Sequence, residues 1–212
     1  MKISWLGHAS FLLETTKGTK IITDPYEAGS YSGAIGYAPI KIQPDIVTVS
    51  HAHSDHSYTR EFKTAQVVDK EGTVKIREVE IEGILSYHDD KRGALRGQNI
   101  IFVINTEGLK IVHLGDLGTK DIDVEKLKTS DIIFIPVGGT FTLDAKTATD
   151  LLEEISPKVT IPMHFKTPKL GFDIDKVDSF LKDKDYEKRD ILEVSQQNIN
   201  SFKKIVVLNY QR

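Results

Sequence analysis

Three imidazoles and a carboxylate fall within six residues where the chain reads His51-Ala52-His53-Ser54-Asp55-His56, directly after the apolar run Ile46-Val47-Thr48-Val49. Neutral imidazole nitrogen and carboxylate oxygen suit zinc, and with no thiolate among them they suit iron and manganese as well. In an extended backbone alternate side chains share a side, so His51, His53 and Asp55 face one way. A turn at Asp55-His56 would swing the last two side chains toward a second ion, so one loop can serve two metals.

Further candidate ligands lie far from this loop. His88 follows Ile84-Leu85-Ser86-Tyr87, Asp116 follows Ile111-Val112-His113-Leu114-Gly115, and His164 follows Val159-Thr160-Ile161-Pro162-Met163. Each ends an apolar, strand-like run. Strand ends are held by a sheet while their tips face solvent, which is how a rigid scaffold sets a polar constellation in a cleft. A structural zinc site tends instead to use closely paired ligands, often thiolates, and leaves no position open.

The order His-x-His-x-Asp-His, a lone His, Gly-Asp after a strand and a final His resembles the metallo-β-lactamase superfamily, and the match spans nearly the whole chain. Trp5-Leu6-Gly7-His8-Ala9-Ser10, Thr23-Asp24-Pro25, Pro136 to Thr142 and Ile161-Pro162-Met163-His164-Phe165 are similar to its small metal-dependent hydrolases related to ascorbate-phosphate lactonases. The resemblance implies an α/β fold, a four-layer αββα sandwich. It also implies two ions, zinc with Mn2+ or Fe2+ as alternatives. His51, His53 and His88 would hold the first, Asp55, His56 and His164 the second, and Asp116 would bridge them. The flavodi-iron branch usually has Glu where this chain has His53, which disfavours reduction of oxygen or nitric oxide.

The chemistry expected is hydrolysis of an ester, lactone or phosphoester of a small metabolite by a hydroxide shared between the ions, since coordination lowers the pKa of water from about 15.7 to about 7. Asp55 would be both ligand and proton acceptor. The chain has no Cys, no Gly-x-Ser-x-Gly elbow, no phosphate-cradling glycine loop and no His-Glu-x-x-His helix, which favours water attack over a covalent intermediate. Two alternatives stay open: a small-molecule phosphodiesterase or nuclease-type activity at the same site, and a non-catalytic metal-binding interaction module.

Several other residues have two readings each. His8 is either near the site or a turn residue, and His113 either a hydrogen-bonded core histidine or a partner of a ligand. Asp24 either orients an imidazole through its second nitrogen or caps a turn. The long segment Asp24 to Pro44, with Tyr26, Tyr31 and Tyr37, is either a substrate lid or a surface loop. Arg92 or Arg96, just after His88, would clamp a phosphate or carboxylate unless that stretch is a solvated turn. Thr140, Phe141 and Thr142 are candidates for the cleft wall.

The elements that must position these groups are legible as strands at Ser10 to Glu14, Lys20 to Thr23, Val67 to Val79, Gly83 to Tyr87, Asn99 to Asn105, Leu109 to Leu114, Asp131 to Pro136 and Ile205 to Leu208. Helices are expected at Tyr58 to Lys63, at Asp144 to Ile155 with Asp144 as N-cap, and at Phe172 to Leu181. The mixed run Lys182 to Asp190 reads as a solvated face. With 212 residues, 39% hydrophobic and 28% charged, one domain over 1–212 is expected. Net charge −3 gives no pull toward nucleic acid or anionic membrane. No apolar run approaches a membrane span and no signal-like stretch opens the chain, so a cytoplasmic location is expected. A homo-oligomer is compatible with the sequence.

Overall fold

The computed structural model describes residues 1–212. One six-stranded sheet runs in the order β13 (Ile191–Glu193), β1 (Lys2–Gly7), β2 (Ser10–Glu14), β3 (Lys20–Thr23), β4 (Ile46–Thr48), β5 (Gln66–Val68). The other runs β11 (Val159–Met163), β10 (Ile132–Pro136), β9 (Leu109–His113), β8 (Gln98–Thr106), β7 (Val79–Tyr87), β6 (Gly72–Ile76). A short parallel pair, β12 (Glu187–Arg189) and β14 (Val206–Leu208), completes the strands.

Period-two alternation explains how the first sheet is buried. Phe11, Leu13, Ile21 and Ile46 enter a 44-residue core shared with the second sheet. Their neighbours Leu12, Ile22 and Val47 turn to the opposite face and join a separate 12-residue cluster. Helix α2 (Ala145–Ile155), which follows the short α1 (Val124–Leu127), adds Ala148, Leu151 and Ile155 to the large core. Asp144 caps α2, accepting from the Thr147 N–H at 2.7 Å. The outer face of the first sheet is covered by loops that contribute Tyr26, Tyr37, Ile40, Leu170 and Ile174. The molecule is therefore a sandwich of the αββα type in which one outer layer is built largely from loop.

Strand direction decides where function can sit. β3 and β4 are parallel, as are β9, β10 and β11, so the segments leaving these strands emerge at shared sheet ends. Asp24, His51, Asp116 and His164 each lie one to three residues beyond such an end. β7 and β8 form an antiparallel pair of eight partnered residues, Glu80 opposite Asn105 through Tyr87 opposite Gln98, which puts His88 on the turn between them.

Three expectations need correction. Tyr58 to Lys63 forms turns, not a helix, closed by Phe62 N–H to Thr59 O at 2.9 Å. Val67 to Val79 is broken between β5 and β6 and again at Arg77, whose φ is 54°. Only Val177–Leu181 (α3) of the third expected helix is helical, because Asp175 is drawn into extended contacts, donating to Gly138 O and accepting from Lys166 N, both at 2.8 Å. Lys182 to Asp190 is a solvated face as expected, with no buried residue, and within it Glu187–Arg189 pairs with β14.

Candidate metal centre

The loop after β4 and the ends of β7, β9 and β11 bring all seven expected ligands together. His51, His53 and His88 form one group and His8, Asp55, His56 and His164 another, the potential donor atoms in each lying within 4.8 Å of one another. Asp116 lies between them. Its Oδ2 is 3.1 Å from His56 Nε2, 3.2 Å from both His88 Nε2 and His164 Nε2, and 3.8 Å from His51 Nε2.

A hydrogen-bond chain fixes which nitrogens face this centre. His56 Nδ1–H donates to Asp24 Oδ2 at 3.0 Å, and Ser50 donates its hydroxyl to the same oxygen at 2.5 Å and its N–H to Oδ1 at 2.8 Å. Ser50 Oγ in turn lies 3.0 Å from His51 Nδ1 and accepts from it. The network thereby assigns the Nε2 lone pairs of His51 and His56 to the interior of the cluster. Asp24 thus sits behind the cluster rather than capping an exposed turn.

Asp116 is held by two residues. Asn99, fully buried, accepts from the Asp116 N–H at 2.9 Å and spends its amide on Ser86 Oγ at 2.8 Å and Leu114 O at 2.9 Å. His113 donates from Nε2 to Ala9 O at 2.8 Å and accepts from the Gly115 N–H at 3.2 Å, so it braces the Asp116 turn without facing the centre. Gly115 has φ 57°, and a Cβ there would collide with Asn99 Oδ1 and Ser50.

His8 is fully buried, its Nε2 3.0 Å from Asp55 Oδ2 and its ring 4.2 Å from that of His164. It joins the second group as a fourth member, which its place at the end of the opening strand hinted at without giving a role. His8, Asp24 and His164 all have left-handed backbones, with φ of 54°, 39° and 49°. Strain in three non-glycine residues persists only where the surroundings over-determine it.

The charges suit a cation. Burial pushes His51 down to about 3 and His8 down to about 4, His56 and His164 respectively adding to the effect, so both imidazoles are neutral. Burial also lowers His53. Burial would raise Asp116 and Asp55, but the imidazoles around them outweigh it and hold both below the usual carboxylate range. His56 goes the other way: burial lowers it, yet Asp116 and Asp55 raise it well above an ordinary histidine. His51 Nε2 and Asp116 Oδ1 are buried with no hydrogen-bond partner. Imidazole lone pairs and carboxylate oxygens converging on one another, unpartnered, fit divalent cations.

Of the three loop tyrosines only Tyr31 reaches the site. Its hydroxyl donates to Asp55 Oδ1 at 3.1 Å. Tyr26 and Tyr37, 1% and 2% exposed, pack under the loop and bond to Ala38 O and Thr167 Oγ1, so the lid expectation fails for them. Arg96 and Phe141 line the cavity over the cluster, whereas Arg92 points outward with its side chain 80% exposed.

Fold and site together define a metallo-β-lactamase-type sandwich with an imidazole–carboxylate cluster at its sheet ends. Residues 2–164 match the model of a beta-lactamase superfamily domain, and the chain belongs to that superfamily. A UPF0173 metal-dependent hydrolase of Methanosarcina barkeri is 30% identical over 208 residues, covering 84% of this chain and 87% of that protein. A crystal structure of a candidate Zn-dependent hydrolase of the metallo-beta-lactamase superfamily from Thermotoga maritima has TM-score 0.78 and 35% identity, covering 99% of each chain. The isothiocyanate hydrolase from Delia radicum gut bacteria has TM-score 0.64 at 14% identity over 99% of this chain and 97% of that one, a likeness of fold alone.

Proposed function

We propose that this chain, one domain over 1–212, is a metal-dependent hydrolase that cleaves an ester, lactone or phosphoester of a small metabolite. His51, His53 and His88 would hold one ion, Asp55, His56 and His164 a second, and Asp116 would bridge them. Zinc suits the nitrogen and oxygen donors, with Mn2+ or Fe2+ as alternatives. The observation that carries this reading is Asp116 Oδ2, which faces imidazoles of both groups at once. The names of the Methanosarcina and Thermotoga relatives support hydrolysis.

Two bound cations would lower the pKa of water from about 15.7 to about 7 and polarise the oxygen under attack. The chain's own residues supply the rest. Asp24 and Ser50 lock the rings of His56 and His51, and Asn99 and His113 lock the turn that carries Asp116. Asp55, anionic and contacted by His8 and Tyr31, is the proton acceptor at the cavity floor. Phe141, Phe172 and Tyr31 wall the cavity. A cavity of about 380 Å³ and a net charge of −3 favour a small molecule over a polynucleotide.

Zinc- and manganese-loaded protein assayed in parallel on a phosphodiester, a phosphomonoester, a lactone and a thioester tests this. One class should turn over, with kcat reduced roughly 10²- to 10⁴-fold in Asp55→Asn. Equal rates in both proteins would contradict the role given to Asp55. Two ions per chain with no turnover would favour a binding module.

A further inference from the structure

The cavity over the cluster is lined, outside the cluster itself, by only four side chains: Tyr31, Arg96, Phe141 and Phe172. We infer that Arg96 binds a terminal oxyanion of the substrate while the substrate's apolar body lies against Tyr31, Phe172 and Phe141, so that the substrate is a small acyl ester or lactone carrying a remote carboxylate or phosphoryl group. This rests on the hydrolase reading of the same site.

Arg96 is a cavity cation without an acidic partner, for it enters no ion pair in the molecule. It gives one Nη2–H to Thr140 O at 3.2 Å and rests its Cζ 5.6 Å from the centre of the Phe141 ring. The other guanidinium donors are uncommitted, and a planar fork of this kind matches an oxyanion with two oxygens.

The backbone that carries Arg96 is also held in place. The buried Asp89 carboxylate accepts four backbone N–H groups: Lys91 at 2.8 Å and Gly93 at 2.9 Å on Oδ1, Leu95 at 3.0 Å and Arg96 at 2.7 Å on Oδ2. His88 N–H bonds Gly97 O at 3.1 Å across the same turn. One small loop thus fixes the backbones of a candidate ligand, His88, and of Arg96 relative to each other. Arg92, three residues into that loop, faces Asp121 at 3.7 Å instead.

The rest of the cavity is aromatic. Phe172 meets Tyr31 edge-on at 5.2 Å and Phe141 edge-on at 5.9 Å, forming a continuous wall from three separate loops. Phe141 is 36% exposed and Tyr31 46%, so both rings are accessible from the cavity. Polar partners are scarce, since the Tyr31 hydroxyl is already bonded to Asp55. A polyhydroxylated body would leave its groups unpaired there, whereas an apolar body with one charged end is matched.

The test uses two anilides of equal length, anionic glutaranilic acid and neutral valeranilide, titrated calorimetrically into zinc-loaded wild type, Arg96→Gln and Arg96→Lys. Wild type should bind the anionic anilide about 30-fold more tightly, the size of a charge-assisted contact. Arg96→Gln should erase that preference and leave valeranilide within about twofold, and Arg96→Lys should restore part of it. A phosphonate in place of the carboxylate shows which oxyanion is preferred. Equal losses on both anilides, or a preference that survives Arg96→Gln, would overturn the inference. Turnover of the matching 4-nitrophenyl esters is read separately. Arg96-dependent binding without turnover strikes the hydrolase reading and keeps the anion subsite, and turnover without anion preference does the reverse.

Discussion

Asp24 touches no substrate-facing surface, yet it orders both rings that begin and end the metal loop. Its carboxylate takes His56 Nδ1–H directly and reaches His51 through Ser50. Burial would raise its pKa, but His113 and His56 hold it below the ordinary carboxylate value, so it is an anion behind the cluster. Asp24→Asn should keep the fold by circular dichroism and weaken zinc binding roughly 10- to 100-fold in chelator competition. Unchanged affinity would show that the ring orientations do not depend on it. At this scale the chemistry was legible wherever it lay in spacing, as in His51 to His56. Asn99 and Ser50 were not legible, because a single polar residue beside a strand carries no periodic signal and gains its role only when Asp116 or Asp24 arrives from elsewhere. Tyr26 and Tyr37 misled for the converse reason, since a tyrosine in a loop reads as exposed until the loop is found to be a layer of the sandwich.

Elements matter here mainly through their ends. The parallel runs β3–β4 and β9–β10–β11 were visible as apolar segments, and their parallel register is what converts scattered residues into one cluster. Amphipathic spacing gave α2 correctly from its Asp144 cap to Ile155, but the same spacing overstated the helix before Leu181, where backbone bonds to Gly138 and Lys166 win over local propensity. The β9-to-Asp116 turn is closely packed. Gly115 is left-handed and has no room for a methyl group. Gly115→Ala should therefore cost about 3 kcal/mol, combining backbone strain with overpacking, as read by urea unfolding. A cost under about 0.5 kcal/mol would mean the turn relaxes freely.

Across the whole molecule, the two sheets close around a shared core whose inward positions follow the period-two pattern of the sequence, and no helix is long and apolar enough to cross a membrane. A long-range tie at the far end, unrelated to the cluster, offers a pH probe of the fold. Glu107 bonds the Thr16 N–H at 2.7 Å and the Thr16 hydroxyl, and lies 3.1 Å from the Met1 ammonium. Burial raises its pKa, but these contacts outweigh it and leave it lowered. A carboxylate depressed in the folded state stabilises above its unfolded pKa, about 4.3, and loses that contribution as pH falls through the folded value. Glu107→Gln should thus be less stable than wild type at pH 7, with the gap closing as acid unfolding is approached below about pH 4. A gap independent of pH would assign the effect to packing. The most direct test of the central claim is anomalous diffraction at the zinc absorption edge from crystals grown with zinc. Two peaks are expected, one among His51, His53 and His88 and one among Asp55, His56 and His164, with Asp116 touching both. A single peak, or an ion held by His8 in place of Asp116, would contradict it.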